Sequence, residues 1–313
     1  MNASASFRLW LPGTLALMIG FGLLPACDVV DAPVPPAKVL TVSAPETRTL
    51  DSTEALTTPE APVQRVLLED YTGHQCGNCP RAARKATELG SQHGDRLVLV
   101  ATHAGYYAEL QPPLYTYDFR TPAGDQLNTD FGVDLLGLPQ GMINRTPPAN
   151  GTSPAVSDGA WAGRVAEALT QPVEQQLLLT SVYETSTRTL LLKVRAKYLI
   201  AKPGQTYRLV VNVLEDSIRR IQKDYSITDP ANPSKDDTTY FHRHALRDSP
   251  LGTFGVLDAK NPQAGQIFDA YLRYELPAEW NDHHCAIVAY LLDATPASSK
   301  DWRVVQTVEA EIE

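Results

Sequence analysis

The chain has 313 residues, 43% of them hydrophobic and 20% charged, with a formal net charge of −9 at pH 7. This length is enough for about two domains with ordinary hydrophobic cores, so folding does not depend on disulfide stapling. The acidic balance argues against a nucleic-acid partner, because phosphate binding needs clustered Lys and Arg and the sequence has no long basic run.

Residues 1–26 have the layout of a secretory signal. Arg8 supplies the early positive charge, residues 9–24 form an almost wholly apolar run, and Ala26 stands before Cys27. The run is short for a membrane-spanning helix and contains Pro and Gly. Its end resembles a lipobox, in which the cysteine thiol receives lipid and becomes the new N-terminus. We therefore expect an exported lipoprotein anchored through Cys27; the alternative is an ordinary signal peptide in which that cysteine is incidental.

Residues 27–62 are predicted to form a flexible tether after the lipidated cysteine. Six prolines lie between residues 28 and 62, among many Thr, Ala, Glu and Val residues without a sustained hydrophobic period. A coil of this length spans on the order of 30 Å. The tether is expected to hold the folded part of the protein off a membrane surface.

Residues 63–172 alternate strand patterns with helix patterns, which predicts an α/β domain. We expect strands at 66–68, 97–100 and 142–144, and helices at 81–89, 123–131 and 158–169. Asp158 is expected to cap the last helix. Residues 105–120 are rich in Tyr and Pro and are interpreted as an irregular insertion.

Residues 173–313 predict an all-β sandwich domain of Ig-like type. Between Thr189 and Ile200 the apolar residues occupy one face and the basic residues the other, with a period of two. Further strands are expected near 175–184, 205–215, 267–276, 284–292 and 302–311, a number and spacing typical of a sandwich. The polar segment 217–262 is interpreted as a long excursion over the surface.

The motif that carries chemistry is Cys76-Gly77-Asn78-Cys79, after a predicted strand and at the start of a predicted helix. A helix N-terminus has unpaired amide N–H groups and a partial positive charge, which stabilise a thiolate. Cys76 is therefore expected to attack, and Cys79, one helical turn on, to resolve the mixed disulfide. Pro80 suits the first turn, where a missing N–H costs little.

Three interpretations of the Cys76–Cys79 pair stay open: a redox-active disulfide, an inert structural disulfide, and half of a zinc site. The position after a strand favours the redox interpretation over the structural one. Zinc needs two more ligands, for which His74 and His103 are candidates. Haem attachment in its usual form is excluded, because Pro80 stands where a histidine is required. We expect neither a metal nor another cofactor.

The remaining histidines and the last cysteine receive plainer interpretations. His242 and His244 are two residues apart and would point to the same side of a strand, where Asp248 is a candidate third metal ligand; a polar loop packed on the sandwich is preferred. His74 is expected to face solvent. Cys285 alternates in phase with apolar neighbours, so it is expected to be a buried small hydrophobe.

Residues 67–79 resemble the strand, loop and motif of the thioredoxin superfamily in order and spacing. The resemblance implies that Asp70, six residues before Cys76, is a buried acid that assists deprotonation of the resolving cysteine. It also implies that Pro139 is the cis-proline that faces the motif. Gln75 stands where thioredoxins usually have Trp, and Gly-Asn replaces Gly-Pro between the cysteines, so the reduction potential does not carry over.

A wider resemblance covers nearly all of residues 20–313. The chain resembles the outer membrane protein 28 family of Gram-negative surface lipoproteins in its lipobox and tether and in the runs LLEDYTGHQCGNCP, LPQGMINR, YFHRHALR and GTFG. This resemblance implies a thioredoxin-like domain, a C-terminal β-domain and attachment to the outer membrane through the lipid anchor.

Two functions follow as hypotheses. In the first, the protein exchanges thiols and disulfides with envelope proteins, with Cys76 as nucleophile, Cys79 as resolving thiol, Asp70 as proton acceptor and Pro139 facing the substrate. In the second, it is a non-enzymatic surface binding or adhesion module that uses the thioredoxin-like fold as a scaffold. The partner in either case is an envelope or extracellular protein.

Overall fold

The computed structural model describes residues 61–295 and 302–312. The predicted signal peptide, the lipidation site Cys27 and nearly all of the predicted tether lie outside these residues. Among the described helices, none is both long enough and apolar enough to cross a bilayer.

Three α-helices form in the described part of the chain: α1 at Cys79–His93, α2 at Pro122–Phe131 and α3 at Trp161–Leu169. Helices α1 and α2 carry proline in the first turn, where the amide N–H would have no intrahelical acceptor. The side chain of Thr121 caps α2 by accepting a hydrogen bond from the amide of Gly124 at 3.0 Å. The three helices predicted from the sequence are confirmed.

The predicted cap of the last helix is wrong. Asp158 opens a short 3-10 turn, and α3 begins only at Trp161, without a side-chain cap. The carboxylate of Asp158 instead pairs with the guanidinium of Arg81, on the first turn of α1. An acid at this position therefore links two helices rather than starting one.

Sixteen strands form within the described ranges. The first four are β1 (Val66–Thr72), β2 (Leu97–His103), β3 (Gln140–Ile143) and β4 (Ala155–Val156). Three long strands follow: β5 (Gln175–Glu184), β6 (Thr189–Tyr198) and β7 (Thr206–Glu215). Five short ones come next: β8 (Ile218–Arg219), β9 (Gln222–Lys223), β10 (Asp236–Asp237), β11 (Phe241–His242) and β12 (Ala245–Asp248). The last four are β13 (Val256–Lys260), β14 (Ile267–Glu275), β15 (Cys285–Asp293) and β16 (Val304–Glu311).

One mixed sheet runs through the described residues in the order β16-β15-β7-β12-β2-β1-β3-β4, and β13 also pairs with β7. Strand β1 is parallel to β2 and antiparallel to β3. Strand β12 lies between the strands β1–β4 and the strands β7, β15 and β16. Its Ala245 pairs with Ala101 of β2 on one side, and β7 pairs with it on the other. Strands from both sides of the predicted boundary at residue 172 thus share one sheet, and the division into two domains stays a prediction.

A second, three-stranded sheet has the order β14-β6-β5. The apolar face of β6, which includes Leu192 and Val194, packs against Leu209 and Val211 of β7 and Ile287 of β15. All five side chains are buried, as the period of two in the sequence predicts. The fold is therefore mixed α/β, with mostly sheet content and several sheets.

The prediction of a surface excursion at 217–262 is wrong for its centre. Ala245 and Leu246 of β12 are buried between β2 and β7. Two short ladders, β9 with β10 and β8 with β11, order the chain before them. Strand β12 has only two apolar residues among polar ones, too few to produce a recognisable strand pattern.

The irregular insertion at 105–120 is confirmed. It holds one 3-10 turn at Tyr106–Ala108 and an isolated bridge between Gln111 and Tyr115. Tyr115 and Phe119 are buried, so part of its aromatic content seals the insertion onto the protein.

Candidate functional site

The loop at residues 73–78 connects β1 to α1 and carries the first cysteine. The amide of Cys76 donates to the carbonyl of Gly73 at 2.9 Å, and the amide of Cys79 donates to the carbonyl of Cys76 at 3.1 Å. These turns bring the two cysteines together, and their sulfurs form a disulfide with Cα atoms 5.4 Å apart. The disulfide therefore sits where a strand ends and a helix begins.

Both cysteines are almost completely buried. The exposed fraction is 3% for Cys76 and 1% for Cys79. Thiol–disulfide exchange requires that an attacking thiolate reach a sulfur atom, so this arrangement does not react with a large partner as it stands.

Residues 222–225, which we name the cover segment, lie across the loop. The amide of Lys223 donates to the carbonyl of His74 at 2.8 Å, and the amide of Tyr225 donates to the carbonyl of Gly77 at 2.8 Å. Lys223 belongs to β9 and Tyr225 to the turn that follows it, so both donors lie on one short stretch of chain. The loop around the disulfide is therefore paired with a segment about 150 residues later in the chain.

Side chains of the cover segment complete the contact. The side-chain amide of Gln222 donates to the carbonyls of Gly73 at 3.2 Å and Cys76 at 3.1 Å. The ring of Tyr225 occupies the space that a Cβ at Gly77 would need. Glycine between the two cysteines therefore permits the cover segment to pack directly on the motif.

Two contacts fasten the cover segment to its surroundings. The guanidinium of Arg84 on α1 pairs with the carboxylate of Asp224 at 3.1 Å. The hydroxyl of Tyr115 in the insertion donates to Asp236, whose carboxylate also pairs with Lys223 at 2.6 Å. Both the helix and the insertion thus hold the ladder to which the cover segment belongs.

Asp70 is a buried acid on β1, between Ala101 of β2 and Gly141 of β3 in the sheet. Burial, with the nearby carboxylate of Asp158 as a second cause, raises the pKa of Asp70 to about 8. Its Oδ1 atom has no hydrogen-bond partner among the described residues. The side chain is therefore a carboxyl group that exchanges a proton near neutral pH.

Asp70 lines a cavity of about 340 Å³. Because alternate strand residues share a face, β1 and β2 contribute Leu68, Asp70, Thr72, Leu99, Ala101 and His103. Helix α1 covers one side through Ala83, Ala86 and Thr87, and the chain at residues 240–244 covers another. Asp70 therefore faces a partly open pocket beside the helix that carries Cys79.

His74 is buried, so the prediction that it faces solvent is wrong. Its Nε2 lies 2.9 Å from the carbonyl oxygen of Glu109 in the insertion. Burial lowers the pKa of the imidazole. The insertion, rather than solvent, surrounds the residue two positions before the first cysteine.

His103 and His242 form a buried imidazole pair. Nε2 of His103 lies 3.2 Å from Nδ1 of His242, and the ring of Phe119 lies 4.3 Å from each of the two rings, centre to centre. Burial lowers the pKa of His242 to about 3 and that of His103 well below its usual value. The preferred interpretation of His242 as part of a polar loop is wrong, because it pairs with Ile218 in a ladder and is buried.

The side chains considered for zinc are engaged elsewhere. His74 contacts the carbonyl of Glu109, His103 contacts His242, and both motif sulfurs are in the disulfide. Across residues 61–295 and 302–312, no group of three or more His, Cys, Asp or Glu side chains is arranged to hold a metal ion.

Pro139 follows a cis peptide bond with Leu138, as the thioredoxin resemblance implies. It is buried and directly precedes β3. Gln140, the next residue, pairs with Tyr71 at the end of β1, so Pro139 lies at the same end of the sheet as the 73–78 loop. Pro139 and the loop that carries Cys76 thus share one end of the sheet, and Asp70 lies on β1, the strand that leads to that loop.

The family described as outer membrane protein Omp28 matches residues 125–312. The chain belongs to the Omp28 family. The match begins after the cysteine motif, and it includes Pro139, residues 222–225 and every strand from β3 to β16. The family description agrees with the predicted envelope location.

Solved structures similar to this Omp28-family protein include HBP35 of Porphyromonas gingivalis, with a TM-score of 0.59 and 16% identity over 80% of this chain and 76% of that one. A protein of Agrobacterium tumefaciens follows with a TM-score of 0.46 and 15% identity, over 80% and 95% of the two chains. A domain of the outer membrane lipoprotein Omp28 from Porphyromonas gingivalis has a TM-score of 0.29 and 16% identity, over 46% and 91%. No curated protein sequence matches. The HBP35 similarity supports the overall fold and nothing finer.

The sequence analysis of this Omp28-family protein missed Gln222, Asp224 and Tyr225. They lie in the polar segment 217–262, and no local pattern connects them with a motif so far back in the chain. One local sign is Gly77, the residue between the cysteines that leaves room for the Tyr225 ring.

Proposed function

We propose that this Omp28-family protein is an exported, lipid-anchored thiol–disulfide exchange protein whose motif lies in a thioredoxin-like domain joined to a β-sandwich. The observation that carries the proposal is the Cys76–Cys79 disulfide at the start of α1, together with the buried carboxyl of Asp70 on β1, the strand that leads into the motif. A structural disulfide has no need of an ionisable group in an otherwise costly buried position, whereas exchange needs a proton acceptor.

In the reducing direction, the thiolate of Cys76 attacks one sulfur of a partner disulfide. A mixed disulfide forms, and the partner's other sulfur leaves as a thiolate. Cys79 then gives its proton to the carboxylate of Asp70 and attacks the sulfur of Cys76. The Cys76–Cys79 disulfide closes, the second partner thiolate leaves, and the partner has gained the two electrons that the motif has lost; oxidation of a partner runs the same steps backwards.

A carboxyl group with a pKa of about 8 suits this role. Near pH 8, Asp70 has substantial populations of both protonation states, so it accepts and returns a proton without a large energetic cost. Pro139, at the same end of the sheet, would face the bound partner segment.

A trapping experiment tests the proposal. In the full-length Cys79→Ala protein, produced in its native envelope, Cys76 forms mixed disulfides that cannot be resolved. We expect reductant-sensitive adducts on Cys76, and none in the matched Cys76→Ala, Cys79→Ala double variant. The proposal fails if no adduct forms with any envelope protein and the purified protein exchanges no thiols.

A second candidate function is a non-enzymatic binding module, favoured by the burial of both sulfurs and by exposed apolar side chains. Tyr106 and Leu135 are 66% and 86% exposed, and Leu136 is also exposed. They belong to neighbouring turns, since Gly105 lies against Asp134. Apolar groups clustered on a surface often mark a protein–protein contact.

This candidate predicts a different pattern of variants. Cys76→Ser with Cys79→Ser would leave partner binding intact, whereas Leu135→Ser with Leu136→Ser would abolish it. Leu257→Ser, at another exposed leucine, is the matched control. Cross-linking in intact cells followed by mass spectrometry measures the partners of each variant. Loss of binding in the double-cysteine variant contradicts this function.

A further inference from the structure

The cover segment occupies main-chain hydrogen-bond acceptors that an extended segment of a partner protein would need in order to bind beside Cys76. The carbonyls of His74 and Gly77 flank the first cysteine, and both already accept amides, from Lys223 and Tyr225. An extended segment that adds to a loop or sheet edge uses main-chain acceptors of this kind. While the cover segment is paired, these acceptors are occupied and both sulfurs are buried.

The contacts that hold the cover segment are weak enough for it to open while the rest of the protein stays folded. The ion pair joins the guanidinium of Arg84, whose side chain is 56% exposed, to the carboxylate of Asp224, whose side chain is 10% exposed. Water reaches the pair from the arginine side, which limits its contribution to stability. Tyr225 is also 56% exposed although its ring lies on Gly77. The ladder of β9 with β10 has only two residue pairs. Segments with few buried apolar contacts open far more readily than a whole domain unfolds.

We infer that residues 222–225 are an autoinhibitory element, and that an extended segment of a protein partner displaces them by taking over the carbonyls of His74 and Gly77. Displacement exposes Cys76 to attack. The inference rests on the proposed exchange function. Beyond that function, the inference predicts that the rate at which the Cys76–Cys79 disulfide reacts depends on the fraction of molecules in which the cover segment is open.

The rate of disulfide reduction by dithiothreitol measures this open fraction, since a dithiol reduces the disulfide only where a sulfur is accessible. The full-length purified protein is treated for defined times, quenched with an alkylating reagent and analysed by mass spectrometry at Cys76 and Cys79. Tyr225→Ala removes the ring on Gly77, and Asp224→Asn weakens the pair with Arg84. We expect reduction of Tyr225→Ala to be at least about tenfold faster than that of the wild type, and of Asp224→Asn to be faster by a smaller factor.

The matched control is Asp229→Ala, in the same polar segment. The side chain of Asp229 accepts only a local hydrogen bond, from the amide of Ala231, among the contacts described for it. Its reduction rate should equal that of the wild type. Circular dichroism and melting of the oxidised proteins show whether each variant keeps its fold, and Asp224→Asn, the milder change, keeps the test valid if Tyr225→Ala does not fold.

The outcomes separate this inference from the proposed function. Equal reduction rates in the wild type, Tyr225→Ala and Asp224→Asn overturn the autoinhibitory role. Trapping is then repeated with Cys79→Ala in the Tyr225→Ala background. Faster reduction of the variants without any trapped partner supports the autoinhibitory role of residues 222–225 and contradicts the exchange function. Equal trapping with and without Tyr225→Ala supports the exchange function and contradicts autoinhibition.

Discussion

The guanidinium of Arg145 and the carboxylate of Glu69 are joined by two hydrogen bonds inside the main sheet. Nε of Arg145 donates to Oε2 at 2.8 Å and Nη2 donates to Oε1 at 2.7 Å, and both side chains are buried. Nη2 also donates to the hydroxyl of Tyr290 on β15 at 2.9 Å. The pair therefore ties β1, the strand that leads to the disulfide, to a strand from the far end of the chain.

Glu69→Gln should destabilise the protein strongly, because it leaves the charge of Arg145 buried without a counter-charge. Breaking a buried pair in this way typically costs about 3–5 kcal/mol of unfolding free energy. Urea unfolding with the disulfide intact measures the loss. Glu88→Gln, which removes the exposed partner of Lys85, is the control and should change stability by less than about 1 kcal/mol. Equal costs for the two variants would show that the buried pair contributes no more than a surface pair.

The sequence predicted the regular elements well. The alternation between Thr189 and Ile200 gave β6, and the other five long strands after residue 173 lie close to their expected ranges. Such patterns are readable because each arises from neighbours in the chain that share one buried face. The helix predicted at 81–89 forms at Cys79–His93, because Pro80 and the good helix formers after it are local signals.

The contacts that decide access to the disulfide were not predictable in this way. Tyr225 reaches Gly77, and Glu69 reaches Arg145, through pairings between distant parts of the chain. A charged or polar residue is usually exposed, so sequence reasoning assigns it to the surface unless a partner is known. His242 shows the same error: the ladder with Ile218 and contacts with His103 and Phe119, all from distant parts of the chain, bury it.

Asp70 should make stability fall as the pH rises. Its pKa is raised from 3.8 to about 8 in the folded protein, so the folded state holds a proton that the unfolded chain releases above about pH 4. Stability is fully present below that pH and is lost up to about pH 8, by at most about 6 kcal/mol. Asp70→Asn should remove this slope, so the variant gains stability relative to the wild type between pH 5 and pH 8. Parallel curves for the two proteins in urea titrations would exclude a raised pKa.

His242 should have the opposite effect on the acidic side. Burial, with the nearby charges of His74 and Arg220 as further causes, lowers the pKa of His242 from 6.5 to about 3. His103 is in direct contact with the ring. The unfolded chain therefore binds a proton below pH 6.5 that the folded protein excludes, and stability falls as the pH drops towards 3, by at most about 5 kcal/mol. His242→Gln should lose less stability than the wild type between pH 6.5 and pH 4, measured by thermal melts across buffers. A greater loss in the variant would contradict this assignment.

Cys285 should take no part in exchange. Its side chain is buried, its thiol donates to the carbonyl of Asn281 at 3.3 Å, and burial raises the pKa of the thiol to about 12. The reactive thiolate is therefore scarce at neutral pH. With iodoacetamide at pH 8 and peptide mapping by mass spectrometry, Cys285 should stay unmodified in the folded protein and react fully in urea. Cys76 of the Cys79→Ala protein in the Tyr225→Ala background, where the cover segment is weakened, serves as the reactive control. Modification of Cys285 in the folded state at the rate of Cys76 would contradict this prediction, because two independent thiols could then capture partners. The trapping experiment would in that case have to be repeated in protein that also carries Cys285→Ala.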